Sequence, residues 1–389
     1  MLRVRHNLGV VTSSAPFRLS ILDQSPVSQG SAPAQALANT LDLARLADRL
    51  GYHRYWVAEH HGGPMLAGPS PEALIGPIAA ATARIRVGSG GVMLPHYSPL
   101  KVAETFSVLS ALFPGRIDLG IGRAAGTDPM TTFALQRDRR QAAPDDFPQQ
   151  LAELLGYIDG TLPVDHPFAR LAHTLPGLPE RPEPWLLGSS PQSALWAAEL
   201  GLPYAFADFI NSDGAGIAAV YRERFAEHEH EHEPRTAVAV WAICADSDEE
   251  ARRLAASGRM TFTLLRRGQL IAVPPPEEAL RFLVHEERAG KGSGPRRRAL
   301  VGAPDTVRAQ LEEAVAEYGA QEAIVVCITY DHEARRHSYE LLASAFGLDG
   351  ASSAPGLDRA SATPGLLAAS SAPAPEQGAP APEEEALRT

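Results

Sequence analysis

Short apolar runs alternate with longer stretches of helical period along most of this chain. Residues 17–23 are largely apolar and end in Asp-Gln-Ser-Pro, a turn signal. Over 34–50, apolar side chains recur at Leu37, Leu41 and Ala44, the spacing of one helix face, and the pattern stops at Gly51. The same reading predicts further strands at 55–58, 85–94, 116–121, 185–187, 204–206, 236–245 and 323–328. Helices are predicted at 71–81, 99–113, 147–158, 191–200, 215–227, 305–318 and 332–346, with one more starting at Asp248 and running into an irregular stretch. The strands are almost continuously apolar, as strands covered on both faces must be. Eight strand–helix units of this kind predict a closed (β/α)8 TIM barrel, with an irregular insertion before the last unit, rather than an open doubly wound sheet.

Composition sets the limits of that barrel. From Gly350 to Thr389, Ala, Pro, Ser and Gly supply 26 of 40 residues, and Val, Ile, Phe, Tyr and Trp are missing. Such a segment buries too little apolar surface to offset its ordering entropy, so a disordered tail is expected at 349–389. Residues 1–16 read as a flexible N-terminus, which leaves 17–348 for the barrel. The 35 basic and 46 acidic residues give a net charge of −11, which argues against a nucleic-acid binder or a polybasic membrane anchor. No apolar run reaches the roughly 20 residues of a membrane span. Cys244 and Cys327 are too few for a disulfide framework and read as inert core thiols, so a cytoplasmic location is expected.

In such a barrel the chemistry belongs at the C-terminal ends of the strands. Glu59, His60 and His61 follow the second strand, and imidazoles beside a carboxylate suit acid–base work near neutral pH. Chelation of one metal by both histidines is disfavoured, because adjacent residues on extended chain point apart. Gly88, Gly90 and Gly91 interrupt a good strand, which marks either a ligand's close approach or a packing constraint. The stretch from Gly120 to Ala125 resembles a dinucleotide-binding fingerprint, but no helix opens at once, and Arg123 reads better as a cation for a phosphate. Ser190 and Pro191 define a helix N-terminus where hydroxyls and N–H groups suit an anion, although an ordinary cap has the same pattern. The histidines between His228 and Glu233 read as a solvated helix end, and Arg296, Arg297 and Arg298 as a basic surface loop.

In this order the segments LDQSP, GYHRYWVAEHH, SPEALIGPIAA, RIRVGSGGVMLPHYSPLKVAE, PGRIDLGIGRA and WLLGSSPQSALWAAELGLP resemble the bacterial luciferase-like, flavin-dependent monooxygenase family over about residues 17–346. The resemblance implies a (β/α)8 barrel that binds reduced FMN, usually as a homodimer, with reduced flavin coming from a separate NAD(P)H:flavin reductase. It puts His60 at the family's active-site histidine, with His61 and Glu59 supporting it, and a cis peptide under the flavin ring at Gly90 and Gly91. Arg123, Ser189, Ser190 and Ser193 correspond to phosphate-binding positions, and Asp23 and Gln24 are expected to reach the substrate. Gly122 and Ser189 stand where luciferases carry a reactive cysteine and a glutamate, which argues against light emission from a long-chain aldehyde. The stretch 258–302 occupies the place of the family's mobile lid. The implied function is a monooxygenase acting on a small organic substrate with O2. The alternatives are hydride transfer with a deazaflavin and flavin binding without turnover.

Overall fold

A computed structural model describes residues 17–123, 128–136, 138–140, 145–228, 230, 232–289 and 298–348. The expectations for 1–16 and 349–389 lie outside the described residues. The elements run β1 (Arg18–Asp23), α1 (Pro33–Leu50), β2 (Arg54–Val57), α2 (Pro71–Ala81), β3 (Arg86–Met93), α3 (Pro99–Leu112), β4 (Ile117–Gly122) and α4 (Pro129–Leu135). They continue α5 (Phe147–Asp159), β5 (Glu183–Gly188), α6 (Pro191–Glu199), β6 (Tyr204–Ala207), α7 (Ala215–Glu227), β7 (Thr236–Cys244), α8 (Asp248–Leu265) and α9 (Pro276–Arg288). The last four are β8 (Ala299–Gly302), α10 (Pro304–Tyr318), β9 (Glu322–Val326) and α11 (His332–Ala345).

All strand pairs are parallel, and β1 pairs with both β2 and β9 while β6 pairs with β7, so β1–β7 and β9 close into the eight-stranded barrel that the pattern predicts. Strand β8 is additional. It pairs with the upper half of β7, from Trp241 to Cys244, on the edge whose lower half is taken by β6. Most helices open on proline, whose fixed φ suits the first turn and whose missing N–H is no loss there. Inward side chains such as Leu22, Trp56, Trp185 and Ile324 fill the barrel, while the outward faces of the strands pack on the helices around Ile21, Val87, Leu119 and Val325.

The stretch after Asp248 departs from the expectation of an irregular lid. Helix α8 continues through Gly258 to Leu265, and α9 packs on it through Ala256, Met260, Leu264 and Ala279. The period of α9 is hard to read in sequence because its buried face includes Glu286, which is paired with Arg267 from the turn after α8. Of the arginine run, Arg296 and Arg297 lie outside the described residues, and Arg298 is bonded to Glu317 on α10 at 2.6 Å.

A charged layer closes the N-terminal end of the barrel. Arg54, at the start of β2, is buried and donates to Glu322 (2.7 Å), Asp118 (2.8 Å) and Glu183 (3.3 Å). Arg86 reaches Asp118 at 2.5 Å and Arg235 reaches Glu183 at 2.5 Å, while the Trp56 indole N–H donates to Asp118 at 2.9 Å. The Arg54 guanidinium also lies 4.6 Å from the centre of the Trp185 ring. Charges so deeply placed require partners of this quality.

Candidate functional site

The C-terminal ends of the strands surround a cavity of about 430 Å³. Its floor and one wall come from Leu22, Trp56, Ala205 and Ile324, the upper part of the barrel interior. The polar groups enter from the ends of β1, β2, β4 and β5 as Gln24, His60, Arg123 and the Ser189, Ser190 and Ser193 turn. Sequence reasoning therefore found most of the wall. It missed Phe209 and Ile210 after β6, and also Trp196 on α6, whose ring lies 5.6 Å from the Arg123 guanidinium carbon. Trp196 follows Ser193 by three residues, so both face the same side of α6.

The peptide between Gly90 and Gly91 is cis, as the resemblance implies, and the register against β4 shifts between Gly90 and Val92. Both glycines line the cavity. A Cβ on Gly91 would stand 2.7 Å from the Gly120 carbonyl oxygen, and one on Gly90 would stand 2.6 Å from Leu22 Cδ1. Close approach of neighbouring barrel strands, rather than of a helix, is thus the packing reason for glycine here.

His60 lines the cavity, with its backbone N–H on the Gly68 carbonyl at 2.9 Å and its Nε2 3.5 Å from the Gln24 amide nitrogen. The neighbours of His60 are organised differently. Buried Glu59 accepts from His61 Nε2 (2.8 Å), the Tyr97 hydroxyl (3.1 Å) and the Met93 N–H (2.9 Å), tying the end of β2 to the turn after β3. His61 does not line the cavity, and its ring meets His96 edge to face. Burial, and then the Glu59 charge, push the Tyr97 hydroxyl well above its ordinary value, so it stays a donor.

Asp23 also departs from expectation. It does not line the cavity, because Arg335 on α11 (2.6 Å), the Tyr55 hydroxyl (2.5 Å) and the Ser25 N–H (2.7 Å) take up its fully buried carboxylate. Burial alone would raise this carboxyl, but Arg335 and the other donors outweigh it and hold it below the usual range. Asp23 fixes the β1 turn, and Gln24 is the member of the pair that faces the cavity.

After β5, Ser190 caps α6 and accepts from the Ser193 N–H, while the Ser193 hydroxyl bonds the Ser190 carbonyl (2.8 Å) and Tyr204 (2.9 Å). The Ser189 carbonyl accepts from Asn211 at 3.1 Å. Half-exposed Arg123 donates through Nη2 to both carboxylate oxygens of Asp145, each at 3.2 Å. One guanidinium, a helix N-terminus, one imidazole and an apolar, glycine-edged wall thus share the cavity.

Among the described residues, no cluster of His, Cys, Asp and Glu is arranged to hold a metal, and no helix is long and apolar enough to cross a membrane. Helix α7 ends at Glu227, so His230 and His232 are not on a helix. They instead approach the carbonyls of Ala198 (2.7 Å) and Gly201 (3.0 Å) at the end of α6. Burial pushes the Cys244 and Cys327 thiols up to about 12 and about 11, which leaves both inert.

A parallel (β/α)8 barrel with a mouth of this composition defines an α/β-barrel enzyme, and comparison with known proteins gives its family. The model of the luciferase-like monooxygenase family matches residues 17–322. A luciferase-like monooxygenase of Escherichia coli (strain K12) is 42% identical over 324 residues, covering 83% of this chain and 95% of the relative. The crystal structure of apo-MsnO8 is 43% identical, with a TM-score of 0.76 over 85% of this chain and 98% of that one. The oxygenating constituent of 3,6-diketocamphane monooxygenase from Pseudomonas putida, solved in complex with FMN, shares the fold at 22% identity with a TM-score of 0.64, covering 85% and 98% of the two chains. The chain belongs to the luciferase-like monooxygenase family.

Proposed function

We propose that this protein is a flavin-dependent monooxygenase that binds reduced FMN in the barrel mouth and uses O2 to oxidise a small organic substrate. The observation that carries the reading is one cavity lined by Arg123 and the α6 N-terminus, after β4 and β5, and by His60 and the paired glycines, from β2 and β3. Its volume lies within the ordinary range for cofactor and ligand pockets, roughly 300–1,000 Å³. The donor set suits a phosphate, and the side-chain-free edge at Gly90 and Gly91 suits a flat ring.

In this reading Arg123 and the Ser189, Ser190 and Ser193 turn hold the phosphate. Reduced FMN, when bound, supplies the two electrons that activate O2 for transfer of one oxygen atom to the substrate. His60 presents its imidazole at the cavity wall, where it can hold or move a proton. The Glu59, His61 and Tyr97 bonds fix the strand end that carries His60 and the turn that follows Gly91. Leu22, Trp56 and Ile324 keep water from the inner compartment. A homodimer, supplied with reduced flavin by a separate NAD(P)H:flavin reductase, completes the proposal.

Anaerobic titration with reduced FMN, followed by admission of air, tests it. Saturable binding followed by O2 uptake coupled to oxidation of an added organic substrate is expected. Tight binding of a deazaflavin with no binding of FMN overturns the reading.

A further inference from the structure

The cation assigned to the phosphate is already engaged by a carboxylate. Arg123 donates to both oxygens of Asp145 at 3.2 Å, while Asp145 itself is 76% exposed and lies immediately before α5. Among the described residues no other ion pair involves Arg123, and its guanidinium carbon lies 5.6 Å from the centre of the Trp196 ring. A carboxylate bonded in this way takes up Arg123 Nη2, one of the nitrogens that a ligand's phosphate would use.

We propose that Asp145 is a built-in anion competitor that holds Arg123 until a phosphate dianion displaces it. The inference rests on the reading of Arg123 as the phosphate-binding cation. A dianion outbids a single carboxylate for the same guanidinium, whereas a neutral or singly charged group gains little by displacing it. Asp145 therefore lowers the affinity of the cavity for a phosphorylated flavin and leaves that for its dephosphorylated form, which brings no anion to Arg123, unaffected. It also repels the phosphate once bound, and so shortens the ligand's residence.

Binding of reduced FMN and reduced riboflavin, followed anaerobically by tryptophan fluorescence, tests this on the full-length protein. In Asp145→Asn, FMN is expected to bind about fivefold tighter at low ionic strength, with the gain shrinking as salt screens the pair and riboflavin unaffected. Asp145→Glu, which keeps the charge, should stay near the wild-type affinity. Unchanged or weaker FMN binding in Asp145→Asn overturns the proposal, and so does an equal gain for riboflavin, which reports a change of shape rather than charge. The two readings fail separately. If Arg123→Ala loses FMN affinity while Asp145→Asn changes nothing, only the competitor falls. If wild type binds FMN and riboflavin alike and Arg123→Ala changes neither, the phosphate assignment falls and takes the competitor with it.

Discussion

Replacing Arg54 by methionine removes the cation at the centre of the charged layer while roughly keeping its apolar volume. The three carboxylates it meets are not equally exposed to the loss. Asp118 retains Arg86 at 2.5 Å and the Trp56 N–H at 2.9 Å, and Glu183 retains Arg235 at 2.5 Å. Glu322 retains the Ser20 hydroxyl at 2.5 Å but, among the described residues, loses its one cation, while its side chain is 4% exposed. Breaking a buried pair by removing one partner costs about 3–5 kcal/mol, and here one orphaned carboxylate rather than three places the loss near 3 kcal/mol. With a urea slope of about 3 kcal/mol/M, the unfolding midpoint should fall by about 1 M. Arg54→Met combined with Glu322→Gln removes the uncompensated charge and should recover most of that shift. A single-variant loss below about 1 kcal/mol, or a double variant no more stable than the single, would refute the argument that Glu322 carries the cost.

His60→Ala should lower substrate turnover by about 10²- to 10⁴-fold with little change in reduced FMN affinity, the span expected for loss of a positioned proton-transfer group; equal turnover would remove His60 from the mechanism. Gly91→Ala puts a methyl 2.7 Å from the Gly120 carbonyl oxygen and should destabilise the barrel by about 1–3 kcal/mol in urea unfolding, with flavin binding weakened in parallel. Burial, with Arg54 and Arg18 beside it, lowers His53 to about 3, far below its ordinary value. The unfolded chain therefore takes up this proton as pH drops below about 6.5 while the folded chain does not, so stability is full above that pH and falls as the pH approaches 3. The slope from this group is at most about 1.4 kcal/mol per pH unit. His53→Gln should flatten the slope over this window, and an unaltered slope would show that His53 is free to titrate in the folded state.

The barrel strands were legible because strands covered on both faces become short continuous apolar runs, and the proline and glycine punctuation marked the helices between them. Helix α9 was not, since Glu286 sits on its buried face and breaks the apolar period. Site residues at strand ends were legible by position, as with His60, Arg123 and the Ser189 turn. Their neighbours were misread where a partner came from far along the chain. Asp23 looks like a free acid at a barrel mouth until Arg335 is brought to it, and sequence spacing carries no trace of that contact. The charged floor was invisible for the same reason. Arg54, Glu183 and Glu322 are each the first residue of a strand, where a charge alone reads as a boundary.

Strand β8 bears on how such a barrel can change. The segment from Asp248 to Arg298 leaves the end of β7 and comes back to the same strand, where β8 occupies the hydrogen-bonding edge that short β6 leaves bare. Both ends of the excursion are thus moored to one strand, and β9 still finds its place between β7 and β1. Chain can be added to or removed from this excursion without altering the order or register of the eight barrel strands. The excursion can therefore change in length while the strands that carry the cavity wall stay in place.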